Sequence, residues 1–134
     1  MGTMIRNFEI ADYAKIKDPI EGVSVISEDD LAIIERGVSI TVEDEKGIVG
    51  CGGVILYDSD NGEMWLRLSK RANKLAYIDA ILAAIRMLVN AFDGVKLYCR
   101  VKQGFKKGER FVRWLGFVLE REQDNYGVYV WLKY

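Results

Sequence analysis

Apolar and polar positions repeat along most of this chain, and the period of the repeat changes from one segment to the next. Residues 38–43 read as a strand, 44–47 as a turn and 48–57 as a long second strand. A turn follows at 58–62, where Asn61-Gly62 tolerates positive φ, and 63–68 is the next strand. Then the period lengthens. From 74 to 92 the polar residues Asp79, Arg86 and Asn90 fall seven and four apart, drawing one narrow wet stripe on an otherwise apolar helix. Such a helix lies against a sheet and is covered on most sides. Gly94 ends it, and 95–101 is a further strand. Residues 103–108 form a basic loop containing glycine. A short helix follows at 109–115, with Phe111, Trp114 and Leu115 facing inward and Gly116 stopping it. Residues 117–122 and 126–134 pair as a hairpin around Asp124-Asn125.

The first third is harder to read. Phe8, Ile10, Tyr13 and Ile16 suit one face of a helix, while 22–26 looks extended. Ser27 is a natural N-cap, and Glu28, Asp29 and Asp30 favour the dipole of a helix that Gly37 ends. The strand before the long helix must cross over to the strand after it, so 63–101 reads as a βαβ unit, whereas the earlier strands are hairpin-linked and antiparallel. The expected fold is an α/β mixed sheet with one long buried helix and a short C-terminal helix. Length (134 residues) and an apolar half suit one domain over residues 1–134.

Composition narrows the chemistry. The absence of histidine excludes Ser-His-Asp and Cys-His nucleophile systems, histidine bases and almost every catalytic zinc site. Catalysis here must use carboxylates, Tyr, Lys, backbone amides or a bound cofactor, and no metal is expected. Cys51 and Cys99 sit far apart in apolar strands and read as buried free thiols. The apolar run 75–92 carries Asp79 and Arg86, which argues against a membrane span. With no secretory leader pattern, the expected location is cytoplasmic. Residues 1–65 hold 14 acids and 5 bases, residues 66–134 hold 6 acids and 14 bases. The second half therefore offers a polyanion a favourable field, or the two halves attract each other within the fold. Nucleic-acid binding is disfavoured because these bases are scattered over several elements.

Gly50, Gly52 and Gly53 lie inside one strand and point to close backbone approach or a bulge, since a dinucleotide fingerprint needs a strand-to-helix turn. Ser69-Lys-Arg-Ala-Asn-Lys74 opens the long helix. Its amides, with Lys70, Arg71 and Lys74 beside them, form either an anion seat or an ordinary exposed basic loop. Glu63 starts a strand and is either a base or a solvated carboxylate.

The meander, the basic turn into one long helix, and Glu109-Arg-Phe-Val-Arg-Trp-Leu-Gly-Phe117 before a final hairpin resemble the GNAT acyltransferase superfamily over roughly residues 38–134. Trp65-Leu66 and Arg113-Trp-Leu-Gly-Phe117 look especially like the compact GNAT-like proteins of bacteriophage genomes. The resemblance implies an acetyl-CoA-dependent N-acetyltransferase whose two central parallel strands splay to admit the pantetheine arm. By position, Leu66 and Leu68 would offer backbone groups to pantetheine. Ser69, Lys70, Arg71, Asn73, Lys74, Leu75 and Ala76 would cradle the phosphates, and Glu63 would be the base. The acceptor would be an amine on a small molecule or a protein. The family's loop, Gln/Arg-x-x-Gly-x-Gly/Ala, aligns with Asn73 at its first place and Ala76 at a glycine. Val112 stands where the family often has an acidic Tyr, a role for which Tyr126 and Tyr129 are the substitutes at hand. The other implied reading is a GNAT-fold protein without catalysis, serving as a binding or phage-associated component. An exposed terminal strand at 126–134 suggests pairing with a second copy.

Overall fold

A computed structural model describes residues 2–19, 38–73 and 75–131, with the backbone alone for 73, 75 and 76. Its strands are β1 (Met4–Asn7), β2 (Ser39–Asp44), β3 (Gly47–Leu56), β4 (Asn61–Leu68), β5 (Lys96–Lys102), β6 (Phe117–Gln123) and β7 (Tyr126–Trp131). The helices are α1 (Ile10–Lys15), α2 (Leu75–Ala91) and α3 (Lys106–Leu115), with a 3-10 turn at Lys70–Asn73. The strand expected at 22–26 and the helix expected at 27–37 lie outside the described residues. None of the described helices is long and apolar enough to cross a membrane.

The strands form one seven-stranded mixed sheet in the order β1-β2-β3-β4-β5-β7-β6. Only β4 and β5 run parallel, joined by α2 as the crossover requires. β7 is an interior strand, paired with β5 on one side and β6 on the other. It therefore has no free edge to offer a second copy, and the charged β6 is the border strand instead.

Local chemistry explains most boundaries. Asn61-Gly62 does not make the β3–β4 turn. The Asp58 carboxylate accepts from the amides of Asp60 (2.7 Å) and Asn61 (2.8 Å), which closes the turn earlier and leaves Asn61 and Gly62 inside β4. The β6–β7 turn does use left-handed residues, Asp124 at φ 52° and Asn125 at φ 68°. Gly116 ends α3 at φ 110°, its amide donating to the Arg113 carbonyl.

α2 buries Ile81, Ala84, Ile85, Leu88 and Val89 against the sheet, the spacing of a single apolar face. Its outer side exposes Asp79, Ala83, Arg86, Met87 and Asn90, so the wet face is wider than one stripe and the helix is covered on one side. In α3, Val112 and Leu115 face inward, but Trp114 is 57% exposed, because its place on the helix turns it away from the sheet. On the opposite face of the sheet, α1 covers Trp65, whose ring meets Phe8 at 5.3 Å and Tyr13 at 6.2 Å. Cys51 is buried there, and burial pushes its thiol up to about 12. Cys99 is a second buried cysteine, on the α2 face.

Asp12, on the inner side of α1, is fully buried and accepts four hydrogen bonds from three partners: Arg6 (2.8 and 2.9 Å), the Thr41 hydroxyl (2.9 Å) and the Glu9 amide (2.8 Å). Burial alone would raise its carboxyl pKa; Arg6 and the two neutral donors outweigh that and hold it below the ordinary value. Asp12→Ala leaves Arg6 paired with Glu43 alone and takes the acceptor from the Thr41 hydroxyl and the Glu9 amide, and should lower unfolding free energy by roughly 2 kcal/mol in a denaturant titration. A depressed folded pKa stabilises above the unfolded carboxyl's pKa and is lost as pH falls through the folded value. The variant should therefore lose less stability than wild type on acidification below about pH 4.

Candidate active site

β4 and β5 are strand neighbours only at Asn61↔Lys96, Gly62↔Leu97 and Glu63↔Tyr98. Beyond that rung β4 stays with β3 as far as Leu68, and β5 stays with β7 as far as Lys102. The sheet forks after Glu63.

Backbone direction at the fork follows from alternation along a strand. The Ser69 amide donates to the Val49 carbonyl (2.9 Å), and the Asn61 carbonyl accepts from Tyr57 (2.9 Å), so the odd residues of β4 face β3. The backbone groups of Leu66 and Leu68 consequently face the side from which β5 has withdrawn. Their side chains lie on the α2 face, across Gly52 and Gly50. A Cβ at Gly52 would meet the Leu66 Cδ2 at 2.8 Å and the Trp65 carbonyl at 2.8 Å; one at Gly50 would meet the Leu68 Cδ2 at 2.7 Å. The glycines of β3 thus serve close approach, as their strand setting implied. Gly50 and Gly52 also line, with Leu66, Leu68, Ile81 and Ile85, an apolar void of about 20 Å³, about one water in size.

The turn after β4 is more occupied than a free anion seat. The amide of Ser69 donates to Val49, that of Lys70 to the Asp18 carbonyl (3.1 Å), that of Arg71 to the Ser69 Oγ (3.3 Å), and that of Ala72 to the Ser69 carbonyl (2.9 Å). The Ser69 hydroxyl itself donates to Asp18 (3.0 Å). Arg71 does not point into open solvent: its guanidinium reaches Asp44 (3.3 Å) and the carbonyls of Gly47 (3.2 Å) and Ile48 (3.3 Å). Tyr77 donates to the same carboxylate at 2.6 Å. That hydrogen bond and Arg71 hold the Asp44 carboxyl at about 2, and the phenol is raised in return. The start of α2 is pinned to the β2–β3 turn. Beyond these satisfied amides the described backbone of Leu75 and Ala76 forms the first turn of α2, where helix amides point toward an anion. Lys74, and the side chains of Asn73, Leu75 and Ala76, lie outside the described residues.

Because α2 begins at Leu75, a loop opening it spans 71–76, whereas the window 73–78 expected from the sequence lies half inside the helix.

Glu63 is not a solvated strand-edge carboxylate. It is 4% exposed on the last shared rung, and both its oxygens are engaged. Oε1 accepts from the Tyr57 hydroxyl, and Oε2 accepts from the Arg100 Nε (3.0 Å) and pairs with Nη2 (3.0 Å). Arg100 and Tyr57 were not singled out from the sequence. The signal was present in β5, Lys-Leu-Tyr-Cys-Arg-Val-Lys, whose alternation puts Arg100 on the face opposite the core, as Glu63 is on β4. Val112 is wholly buried among apolar side chains and donates nothing. Tyr129, 2% exposed, packs on the α2 face beneath Arg113, its phenol raised by burial.

No family profile matches the sequence, and no curated protein matches it significantly. Solved structures do. An acetyltransferase from Streptococcus agalactiae superposes with a TM-score of 0.74 over 99% of each chain at 14% identity. The PaiA N-acetyltransferase of Thermoplasma acidophilum, in complex with coenzyme A, gives 0.70 over 98% of this chain and 99% of its own at 14% identity. A GNAT superfamily phosphinothricin acetyltransferase from Sinorhizobium meliloti, in complex with acetyl-CoA, gives 0.67 over 97% and 87% at 16% identity.

The chain has the GNAT acetyltransferase fold. In that fold the parted strands and the loop opening the long helix are the elements to which the sequence resemblance assigned acyl-CoA, and here they are β4, β5 and the entry to α2.

The Asp44–Arg71–Tyr77 clamp can be checked directly. Tyr77→Phe removes the shortest donor to Asp44, and carboxyl-detected NMR titration should find that carboxyl above its present value of about 2. An unchanged titration would show that Arg71 and the Lys46 amide hold it without the phenol.

Proposed function

We propose that this protein is an acetyl-CoA-dependent N-acetyltransferase acting on an amine acceptor. The observation that carries this reading is the fork: the parallel ladder stops at Glu63↔Tyr98 while both strands continue, which turns the backbone groups of Leu66 toward the gap, with those of Leu68 on the same side where the Pro19↔Ser69 bridge borders it. Those groups suit the amides and carbonyls of a pantetheine arm. The amides of Leu75 and Ala76 in the first turn of α2 suit its diphosphate, since those of 69–72 are already satisfied. Coenzyme A and acetyl-CoA complexes among structures of the same fold support the same ligand. Lys70, exposed beside the turn, adds positive charge. In the gap, a backbone N–H of β4 would stabilise the oxyanion formed at the thioester carbonyl.

A second reading, a GNAT-fold binding or phage-associated protein without catalysis, is favoured by the apolar Val112 at the family's acid position and by the occupied amides of 69–72. Ligand binding and turnover separate the two. Acetyl-CoA at about 100 times its Kd should stabilise the folded chain by roughly 2.7 kcal/mol, read as a rise in Tm, and calorimetry should give a matching Kd. No shift with millimolar acetyl-CoA or CoA removes the acetyltransferase reading. Binding without thiol release from acetyl-CoA favours the second.

A further inference from the structure

Away from the fork, α2 and α3 enclose a second cavity, of about 330 Å³. β4 and β5 run parallel and each is followed by a returning helix, so the N-termini of α2 and α3 lie at the fork end of the sheet. The cavity lies at the other end, where the ladder from Asn61↔Lys96 is intact and the C-terminal parts of both helices line it. It is separate from the parted strands. Ile85, Val89 and Leu115 give it a buried apolar lining, and Trp114 and Trp131 add two indoles. Arg86 and Asn90, one turn apart on the exposed side of α2, are its polar members.

Two groups of this lining ask for a partner. Trp131 Nε1 is buried and makes no hydrogen bond. Its direction follows from Gly116: a Cβ there would meet Cζ3 of the Trp131 ring at 2.8 Å, and Nε1 is carried on the opposite side of the indole, away from the end of α3. A buried donor without an acceptor costs free energy that one oxygen would recover. Arg86 makes no ion pair among the described residues, and the apolar side chains around it strengthen its attraction for an anion.

We propose that this cavity is a binding site for a small aromatic carboxylate carrying a second oxygen at the far end of its ring. The carboxylate pairs with Arg86, with the Asn90 amide beside it. The ring lies against Trp114 and Trp131 in the offset or edge geometry that aromatic pairs favour. The second oxygen accepts from Trp131 Nε1. Nothing at the fork takes part, so the site stands apart from the acetyltransferase reading.

The test uses three probes, 6-hydroxy-2-naphthoate, 2-naphthoate and 6-hydroxy-2-naphthamide, followed by calorimetry and by the indole N–H signals in proton–nitrogen NMR. The first probe should shift the signals of Trp114 and Trp131 and leave that of Trp65, which is buried on the opposite face of the sheet. Removing the hydroxyl or the charge should each weaken binding about 10-fold. Arg86→Gln should abolish the preference for the acid over the amide, and Trp131→Phe the preference for the hydroxylated acid. Trp114→Ala, at an exposed position, should weaken all three probes. Acetyl-CoA should not compete. No shift at Trp131 with millimolar probe, equal affinity for the three probes, or an unaltered preference in Arg86→Gln overturns the proposal. Competition by acetyl-CoA also overturns it, by moving the probe to the fork. A dimer that Trp114→Ala dissociates, with no probe bound, overturns it in favour of a second copy of the chain in the groove.

Discussion

The architecture turns on where one parallel strand pair lets go. Parallel pairing is the weaker kind per residue, and both β4 and β5 have a longer antiparallel partner on their other side. When the twist of the two half-sheets diverges, the three-rung parallel ladder is the one that yields. At its last rung the Glu63–Arg100 ion pair ties the strands together on the face away from α2. The same bond fixes the carboxylate's orientation and withdraws it from water.

The elements around the fork are stiff for identifiable reasons. Glycines opposite Leu66 and Leu68 let β3 lie close under two large side chains. The Asp44–Arg71–Tyr77 clamp holds the entry of α2 to the β2–β3 turn, and Asp18 holds Ser69. A strongly held loop supports preorganisation: a ligand meeting backbone donors already in place gives up less entropy on binding. It also explains why basic residues here do not all translate into anion contacts. Arg71 is committed to a carboxylate and two carbonyls within the fold, so some of the charge contrast between the acidic first half and the basic second half is spent internally.

Several elements were legible because they follow from short-range physics. The apolar face of α2, the Gly116 stop, the left-handed Asp124-Asn125 turn and Gly50, Gly52 and Gly53 of β3 are each consequences of local steric or periodic rules. Misreadings have equally local causes. Asp58 outcompeted Asn61-Gly62 for the turn by supplying a side-chain acceptor. β1 escaped notice because four residues carry almost no period, and its pairing with β2 is decided by a segment far along the chain. Trp114 was placed inward although the start of α3 at Lys106 turns it out.

By itself, then, the amino-acid order determined the alternation of strands and helices, the exclusion of histidine chemistry and the position of the turn that opens the long helix. Those properties depend on neighbours a few residues apart. Tertiary structure alone decided that β7 is inserted between β5 and β6, that Arg71 faces Asp44, and that Glu63 meets Arg100 and Tyr57. Each is a contact between separate elements, and Arg71–Asp44 and Glu63–Arg100 join residues 27 and 37 apart in sequence. The free energy of a buried charge depends on what three-dimensional packing places beside it, and sequence spacing does not encode that.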